Sequence, residues 1–411
     1  MKKMEIEIID ITEDGRAIGK YDGKTVFCQG GIYGEVLECQ EVSSKKNIIF
    51  AQKTKTIKKS PYKIRPVCPY AEECDGCSFQ DLDYKAEKFL KEKSVKNKLK
   101  RIANVEPKKL EALKIDTEVC DHYRNKVDLK VVHKKLGYYN RKSHELVPIR
   151  KCQIASQAIN KIIEKLNDMN LSKIKNIKIR SNYKDQVQIS LDYLDDYLLS
   201  ELKKIDSIIE IYDSSEGNYK LIFQKEEFVD KIGDLKFKIQ APSFFQVNIY
   251  NSKVLYDKAK ALINLKENDK VLDLYCGIGT TTAYLAGENP ATGVEVVKAA
   301  VEDANYNKKL NILSNIDFIC AKSESVIDKL IKDDYTTVIL DPPRKGLDKK
   351  VTQAINKSSI NKVLYISCNP ATLARDLKLF KDGGFELKGL DIVDMFARTL
   401  HVETIVLMSR K

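Results

Sequence analysis

The stretch that decides the fold of this 411-residue chain is VLDLYCGIGTTTAYLA, residues 271–286. Its apolar beginning predicts a buried strand, and TTTAYLA predicts the start of a helix. Gly277 and Gly279 stand between the two elements, where glycines let the chain turn tightly and approach a ligand closely. A strand, a glycine turn and a helix in this order predict the first unit of an α/β sheet.

The same alternation continues towards the C-terminus. Further short strands are predicted at ATGVEV (291–296), IDFIC (316–320), TTVILDPP (336–343) and KVLYISC (362–368). Strands that alternate with helical segments are typical of a doubly wound parallel sheet. We therefore predict an α/β fold, with a Rossmann-like domain over residues 233–411.

Two more domains are predicted before this sheet. Residues 1–58 alternate apolar and polar side chains between glycine turns, which favours a small β-barrel of the OB type. Residues 59–232 mix helical and strand patterns and predict a central α+β domain. Ligands of open α/β sheets bind at the carboxyl ends of the strands, so the residues that end the strands of 233–411 are the first candidates for a site.

The charge balance favours a polyanionic partner. The chain has 71 Lys and Arg against 59 Asp and Glu, a net charge of +12. Residues 45–65 hold eight basic residues and no acidic one, beside Phe50 and Tyr62. This pattern suits a surface that follows RNA phosphates. A lysine-protected edge strand is the competing interpretation.

The chain is expected to be cytosolic. Its first residues, MKKMEIEIIDI, contain no apolar signal-peptide core, and no apolar run approaches the length of a membrane span. Thiols stay reduced in the cytosol, so the ten cysteines indicate metal binding, catalysis or packing rather than disulfides.

The polar residues at the strand ends predict a nucleoside cofactor. Asp273 belongs to the first strand, Glu295 ends the second, and Asp341 ends the fourth. An acidic residue at the position of Glu295 can bind both hydroxyls of a ribose. The third glycine of the dinucleotide motif is replaced by Thr282, which favours S-adenosylmethionine over NAD. A plain surface acid is the alternative for Glu295.

A group of cysteines predicts a metal centre. Cys68, Cys74 and Cys77 have the spacing C-x5-C-x2-C, and Cys152 follows far along the chain. Four thiolates can hold a [4Fe–4S] cluster or a zinc ion. Three clustered cysteines with one remote ligand favour the iron–sulfur cluster, and no neighbouring residue indicates redox catalysis, so a structural role is expected.

The last predicted strand ends on Cys368 and is followed by Asn-Pro and a helix that starts near Thr372. A cysteine at a strand end is either a packing residue or a nucleophile. A helix N-terminus that points at the sulfur would stabilise the thiolate.

Across nearly its whole length the sequence resembles the RNA uracil-5-methyltransferases. It is most similar to the 23S ribosomal RNA branch that carries an N-terminal TRAM domain and an iron–sulfur cluster. The segments that carry the resemblance are GRAIGKYDGKTVFCQGGIYGEVL, CPYAEECDGCSFQ with KCQ, SFFQVN, DLYCGIGT, GVEVV, DPPRKGL, SCNPATLARDL and DMFARTLHVE. Asp75 and Ala397 depart from the family pattern, which usually has Gly and Pro there.

The resemblance implies a role for each matching residue. Cys368 would be the nucleophile that adds to carbon 6 of uracil, and Glu403 would remove the proton from carbon 5. The cofactor and uracil pocket would be lined by Gln246, Tyr275, Thr280, Glu295 and Asp341. The cluster would be held by Cys68, Cys74, Cys77 and Cys152.

The chemistry and the substrate follow from this assignment. Carbon 5 of uracil takes a methyl group only after a thiolate has added to the ring, which makes the reaction covalent catalysis. The uridine must leave any stack, so a flipped base in single-stranded RNA is expected. A monomer is expected, because nothing in the sequence suggests a symmetric interface. Amino-group methyltransferases carry an aromatic residue after Asp-Pro-Pro, where this sequence has Arg344. This difference argues against methylation of an amino group. Two alternatives stay open: the same reaction on transfer RNA, and a non-catalytic RNA-binding assembly factor.

Overall fold

The computed structural model describes residues 2–12, 14–117, 119–140 and 143–410, apart from the side chain of Glu216. The chain divides into two compact units. The first comprises the residues up to Ser94 together with Arg398–Leu400. The second comprises Val95–Ala397 and the residues from His401 onward.

Strands and helices of the described residues are numbered in chain order. The strands are β1 (Lys3–Glu7), β2 (Asp10–Ile11), β3 (Ala17–Tyr21), β4 (Lys24–Gln29), β5 (Val36–Lys45), β6 (Ile48–Lys58), β7 (Ile115–Asp116), β8 (Lys126–Val132), β9 (Lys135–Tyr139), β10 (Leu146–Pro148), β11 (Asn176–Ser181), β12 (Val187–Leu191), β13 (Ile208–Asp213), β14 (Lys220–Gln224), β15 (Val229–Ile232), β16 (Leu235–Lys238), β17 (Val271–Leu274), β18 (Ala291–Glu295), β19 (Ile316–Cys320), β20 (Thr337–Leu340), β21 (Lys362–Ser367), β22 (Glu386–Val393) and β23 (Glu403–Ser409). The helices are α1 (Tyr84–Ala103), α2 (Pro107–Glu111), α3 (Gln157–Asn167), α4 (Asp196–Lys203), α5 (Ile249–Ile263), α6 (Thr280–Ala286), α7 (Lys298–Leu310), α8 (Ser323–Leu330), α9 (Lys349–Lys357) and α10 (Pro370–Asp382).

The first unit is built on one sheet with the strand order β1-β5-β6-β4-β3-β2. Alternate residues of β1 point inward, so Met4 and Ile6 are buried between exposed neighbours. They join an apolar core that includes Val26, Leu37 and Ile49. The period-two pattern of the sequence therefore corresponds to a sheet with one face packed on a core.

The second unit contains two large sheets. The first of them has the order β10-β9-β8-β11-β12-β13-β14, with a parallel β12–β13 pair among antiparallel neighbours. The other has eight strands in the order β19-β18-β17-β20-β21-β23-β22-β7. Strands β17 to β21 are parallel, and β23 runs antiparallel to β21. The predicted α/β class with a doubly wound, Rossmann-like sheet is thus confirmed.

Both faces of the eight-stranded sheet are buried. In β21, Val363 and Tyr365 face one apolar core, while Leu364 and Ile366 face another. Helices cover the two faces, which explains why these strands read as continuous apolar runs rather than as alternating ones.

Helix α10 begins at Pro370, two residues before the predicted start at Thr372. Asn369 caps this helix, because its Oδ1 accepts hydrogen bonds from the backbone N–H groups of Ala371 (3.0 Å) and Thr372 (3.4 Å). Proline at the first helical position is favoured, since it has no N–H to leave unsatisfied. Within the described chain, no helix is long and apolar enough to cross a membrane.

Candidate functional site

The carboxyl ends of the parallel strands bring the chemically active side chains to one edge of the eight-stranded sheet. Glu295 is the last residue of β18, Asp341 follows β20, and Cys368 follows β21. Strand β23 runs the opposite way, so its first residue, Glu403, begins at this same edge. The edge therefore gathers three carboxyl groups and a thiol.

Cys368 and Glu403 lie side by side. Ser367 at the end of β21 pairs with Thr404 near the start of β23, so the next residue outward on each chain is Cys368 or Glu403. Burial, together with the charges of Glu403 and Asp341, raises the pKa of the Cys368 thiol to about 11. In the free protein the thiol therefore keeps its proton at neutral pH.

Arg344 is the positively charged residue that acts on Cys368 and Glu403. Its guanidinium hydrogen-bonds to Cys368 and lowers the pKa of that thiol, against the larger effect of burial. It also lowers the pKa of Glu403. One of its terminal nitrogens lies 3.1 Å from Nε2 of His401. Since arginine can only donate, Nε2 of His401 is the acceptor in this contact.

Burial raises the pKa of two of the three carboxyl groups at this edge. Burial raises the pKa of Glu403 well above its usual range, and the charge of Asp341 adds to this effect. Burial likewise raises the pKa of Asp341 to about 7. A site whose acids hold their protons more tightly than in water gains most from a ligand that brings positive charge.

Gln246 reaches the same edge from the loop that precedes α5. The hydroxyl of Tyr256, a buried residue of α5, hydrogen-bonds to the side chains of Gln246 and Thr281, and the charge of Asp341 acts on it. The backbone carbonyl of Gln246 accepts a hydrogen bond from Asn125 Nδ2 at 3.1 Å. The loop is thus held by α5 on one side and by the residue that precedes β8 on the other.

Asp273 and Glu295 flank the glycine turn after β17. Thr282 donates to Asp273 Oδ2 at 2.6 Å, and burial raises the pKa of Asp273 to about 8. Glu295 accepts hydrogen bonds from the backbone N–H groups of Val296 and Val297, each at 2.8 Å, and from that of Gly277 at 3.2 Å. Gly277 itself adopts a φ of +56° and has open space where a side chain would begin.

Tyr275 and Thr280 stand on either side of that turn. Tyr275 has a φ of +75°, a left-handed conformation that a bulky residue rarely adopts and that is often found at functional sites. Its hydroxyl hydrogen-bonds to Ser323 at the start of α8. Thr280 is buried as the first residue of α6. Both residues therefore border the turn, whereas Thr281 and Thr282 make the hydrogen bonds to Tyr256 and Asp273.

Two buried oxygens of the site have unused hydrogen-bonding capacity. Oδ1 of Asp273 and Oε2 of Glu403 are inaccessible to solvent and make no hydrogen bond to the residues that the structure describes. Buried polar atoms are normally satisfied, so each such atom requires an explanation. A polar or cationic ligand at this edge of the sheet would supply the missing partners.

Comparison with known sequences assigns the chain to a family. A sequence model described as tRNA (Uracil-5-)-methyltransferase matches residues 85–411. The chain belongs to this family of RNA uracil-5-methyltransferases. It is 34% identical to an uncharacterized RNA methyltransferase of Caldanaerobacter subterraneus, over 100% of this chain and 98% of the relative. It is 33% identical to one of Clostridium tetani, over 96% of this chain and 94% of that relative.

A solved structure shares the fold of this methyltransferase. The tRNA (uracil-54, C5)-methyltransferase of Pyrococcus abyssi, solved with S-adenosyl-L-homocysteine, superposes with a TM-score of 0.78. The match covers 98% of this chain and 100% of the other, at 24% sequence identity. This likeness supports the doubly wound sheet as the frame of the methyltransferase site.

The predicted metal ligands lie outside this edge of the sheet. Cys68, Cys74 and Cys77 are half-buried in a loop of the first unit, where Gln80 Nε2 donates to Cys77 Sγ at 3.5 Å. Cys152 is half-buried in the second unit and its backbone N–H donates to Asn160 Oδ1 at 2.8 Å. Over the described ranges, no three His, Cys, Asp or Glu residues are arranged as a metal site. A set of four thiols fits an iron–sulfur cluster by its chemistry, but the arrangement of the side chains does not show one.

The structure adds three residues to the methyltransferase site that the sequence did not single out as site residues. They are Tyr256, Thr282 and the side chain of Arg344 in its contact with Cys368. The position of Arg344 directly after Asp-Pro-Pro was the sequence signal that could have identified it as a site residue. Tyr256 had none, because it reads as one more apolar position of a helix.

Proposed function

We propose that this methyltransferase transfers a methyl group to carbon 5 of a uridine in 23S ribosomal RNA, through a covalent adduct between Cys368 and carbon 6. The observation that carries the proposal is that Cys368 and Glu403 are the residues next to the paired Ser367 and Thr404 at the ends of β21 and β23. A nucleophile and a base are needed on neighbouring atoms of the ring, and this register places the two groups next to each other.

Each residue of the cluster has a role in the proposed reaction. The Cys368 thiolate adds to carbon 6 and turns the uracil ring into an enolate that is nucleophilic at carbon 5. Arg344 stabilises the thiolate by its hydrogen bond and charge. After methylation, Glu403 removes the proton from carbon 5, and the C–S bond breaks to release the thiolate. Glu403 must be ionised for this step, whereas burial and the charge of Asp341 favour its protonated form.

S-Adenosylmethionine would supply the methyl group as an electrophilic sulfonium when it is bound. The residues present fit it, because Asp273, Asp341 and Glu403 are buried acids whose raised pKa values a cationic ligand would lower. Glu295 is placed for the ribose hydroxyls, and Gln246, Tyr275 and Thr280 border the same pocket. The homocysteine complex of the Pyrococcus abyssi protein supports this choice.

The choice of ribosomal over transfer RNA rests on the N-terminal segment. Residues 1–84 lie outside the part of the chain that the family model matches. They contain the β-sheet module, proposed to be a TRAM-like barrel of residues 1–58, and the loop with Cys68, Cys74 and Cys77. A structural [4Fe–4S] cluster is part of this proposal. The proposed central domain comprises residues 59–232, and the proposed methyltransferase domain comprises residues 233–411.

The proposal is tested by mass mapping of 5-methyluridine in ribosomal and transfer RNA from cells with and without the gene. Loss of one or two ribosomal methyluridines is expected, and expression of the wild-type chain should restore them. The variant Cys368→Ala should not restore them, whereas Cys320→Ala should, because Cys320 ends β19 as an exposed thiol at the same edge of the sheet. Loss confined to transfer RNA would keep the chemistry and change the substrate. No loss in either RNA would favour the non-catalytic RNA-binding factor.

The cluster is tested separately by iron and acid-labile sulfide analysis of protein purified without oxygen. About four of each per chain are expected for a [4Fe–4S] centre. Stoichiometric zinc with no iron would contradict the assignment.

A further inference from the structure

Three basic side chains share one face of the seven-stranded sheet. Lys126 of β8 stands directly opposite Arg180 of β11, and Lys178 lies two residues before Arg180. Residues directly opposed in an antiparallel pair point to the same face, as do residues two apart on one strand. Lys126, Lys178 and Arg180 therefore form a cluster of cations, which we call the β8–β11 cluster.

Two members of the β8–β11 cluster already have partners. Arg180 is buried and donates from Nη2 to the backbone carbonyl of Ser243 at 2.7 Å, and from Nη1 to that of Gln240 at 3.4 Å. Lys178 donates to the hydroxyl of Tyr219 at 2.5 Å. These hydrogen-bond partners are neutral, although the carboxyl groups of Asp230 and Asp303 act on the charge of Arg180 and oppose the lowering of its pKa by burial.

Lys126 is the member without a partner. Its ammonium group makes no hydrogen bond or ion pair to any residue in the described parts of the chain, although the side chain is half-buried. The nearby Asp128 pairs instead with Lys130 at 3.0 Å. Burial, together with the charges of Arg180 and Lys178, lowers the pKa of Lys126 to about 7. A half-buried cation beside two others is costly unless an anion joins it.

The β8–β11 cluster borders the loop that carries Gln246. Asn125, the residue before Lys126, donates from its backbone to the carbonyl of Val247 at 2.9 Å and from its side chain to that of Gln246 at 3.1 Å. Arg180 holds the beginning of the same loop through Gln240 and Ser243. Lys126 therefore follows directly on a residue that holds this loop, and it shares its face of the sheet with Arg180, which holds the beginning of the loop.

We propose that Lys126, with Lys178 beside it, binds a phosphodiester group of the RNA strand next to the flipped uridine. The inference rests on the proposed RNA substrate and deepens it by naming a contact outside the base pocket. The RNA strand on either side of the flipped base must pass the rim of the pocket. Cationic side chains at the rim can bind its phosphates there. The carboxylate of the cofactor is the competing ligand, and the experiment distinguishes the two.

The test uses the full-length protein and a 15-nucleotide RNA copied from the site that the methyluridine mapping identifies. Affinity is measured against salt concentration for the wild type, Lys126→Gln, Lys126→Arg and a control, Lys135→Gln. Lys135 is exposed at the opposite end of the β8–β9 hairpin, so the control makes the same change of charge away from the cluster. Loss of one phosphate contact should reduce the slope of log affinity against log salt by about 0.7 for Lys126→Gln. The control and Lys126→Arg should keep the wild-type slope.

A second measurement identifies the phosphate. One linkage at a time is replaced by an uncharged methylphosphonate on either side of the target uridine. At one linkage the replacement should weaken binding about tenfold for the wild type and leave Lys126→Gln unaffected. Equal losses in both proteins at every linkage would overturn the phosphate contact. Weaker binding of S-adenosylmethionine by Lys126→Gln without RNA would also overturn it, in favour of the cofactor carboxylate.

Two controls keep the result interpretable. Thermal unfolding of Lys126→Gln should be no lower than that of the wild type, because the substitution removes a repulsion among cations. Failure of the proposed function shows as a wild-type enzyme that methylates no RNA, and the phosphate contact falls with it. Methylation by the wild type with no coupling to Lys126 would overturn the phosphate contact alone.

Discussion

Glu403 and Cys368 are neighbours because β23 runs antiparallel to β21, which brings the first residue of β23 beside the residue that follows β21. The charge of Glu403 raises the pKa of the Cys368 thiol, after the larger effect of burial. The two groups thus influence each other before any substrate is present. This relationship gives the first two predictions.

The variant Glu403→Gln should form the covalent adduct and fail to resolve it. Glutamine cannot remove the proton from carbon 5, so methylated RNA should accumulate as a species that stays bound to the protein in denaturing gels. Turnover should fall by about 10² to 10⁴-fold, the usual contribution of a general base. Glu386→Gln is the matched control, since Glu386 begins β22 and pairs with Ser409, at the end of β23 far from Glu403. Free methylated product from Glu403→Gln at the wild-type rate would contradict the assignment of the base.

The resting Cys368 thiol should react slowly and in a pH-dependent manner. With its pKa raised to about 11, the thiolate fraction, and therefore the rate of alkylation by iodoacetamide, should rise about tenfold for each pH unit between 7 and 10. The measurement is made in a Cys320→Ser background to remove an exposed competitor. Glu403→Gln should speed alkylation and Arg344→Gln should slow it. A rate that is constant above pH 7 would show an already ionised thiol.

Asp303 should stabilise the loop that carries Gln246. It is buried and accepts hydrogen bonds from the backbone and side chain of Gln240 and from Ser243 Oγ, the last at 2.6 Å. Replacing the carboxylate in Asp303→Asn should cost about 2 kcal/mol of unfolding free energy, since hydrogen bonds to charged groups are the stronger kind. Urea denaturation measures the loss. The adjacent Glu302→Gln, at an exposed position of α7, should change stability by less than about 0.5 kcal/mol.

The free protein should lose stability as the pH rises from 4 to 8, and Asp273 should account for part of this loss. The folded state raises the pKa of this carboxyl to about 8, so the unfolded chain releases the proton first. Its stabilising effect is complete below the unfolded pKa and disappears as the pH passes the folded pKa. Within that window it contributes a slope of about 1.4 kcal/mol per pH unit.

Urea unfolding at several pH values tests this dependence. Asp273→Asn should flatten the curve between pH 4 and 8, while Asp317→Asn, at an exposed position of β19, should leave it unchanged. An identical slope in Asp273→Asn and the wild type would show that the carboxyl is ionised in the folded protein.

The sequence predicts the strands that carry the site better than it predicts the contacts between the side chains of the site. The strand ends that carry Glu295, Asp341 and Cys368 could be found because buried parallel strands read as apolar runs, and one polar residue after each run marks the edge of the sheet. The position of Glu403 depends on pairing between strands that are distant in the chain, and no local pattern reports it. The resemblance to a family named that residue, whereas the strand register explains it.

Two further differences have a physical cause in the structure. Helix α10 starts at Pro370 rather than Thr372, because Asn369 supplies the cap and proline suits the first position. The hydrogen bonds of Arg180 to Gln240 and Ser243 join β11 to the loop before α5, so a pattern read along one strand could not show them. Residues that act on the site through other residues are the ones that local sequence patterns miss.

The surroundings of the cap on α10 also affect how the Cys368 thiol reacts with oxidants in the cell. Asn369 accepts hydrogen bonds from the backbone N–H groups of Ala371 and Thr372, and burial raises the pKa of the adjacent Cys368 thiol to about 11. Peroxides and other electrophiles attack thiolates far faster than thiols. The Cys368 thiol of the free protein is therefore expected to resist oxidation for as long as its surroundings keep it protonated.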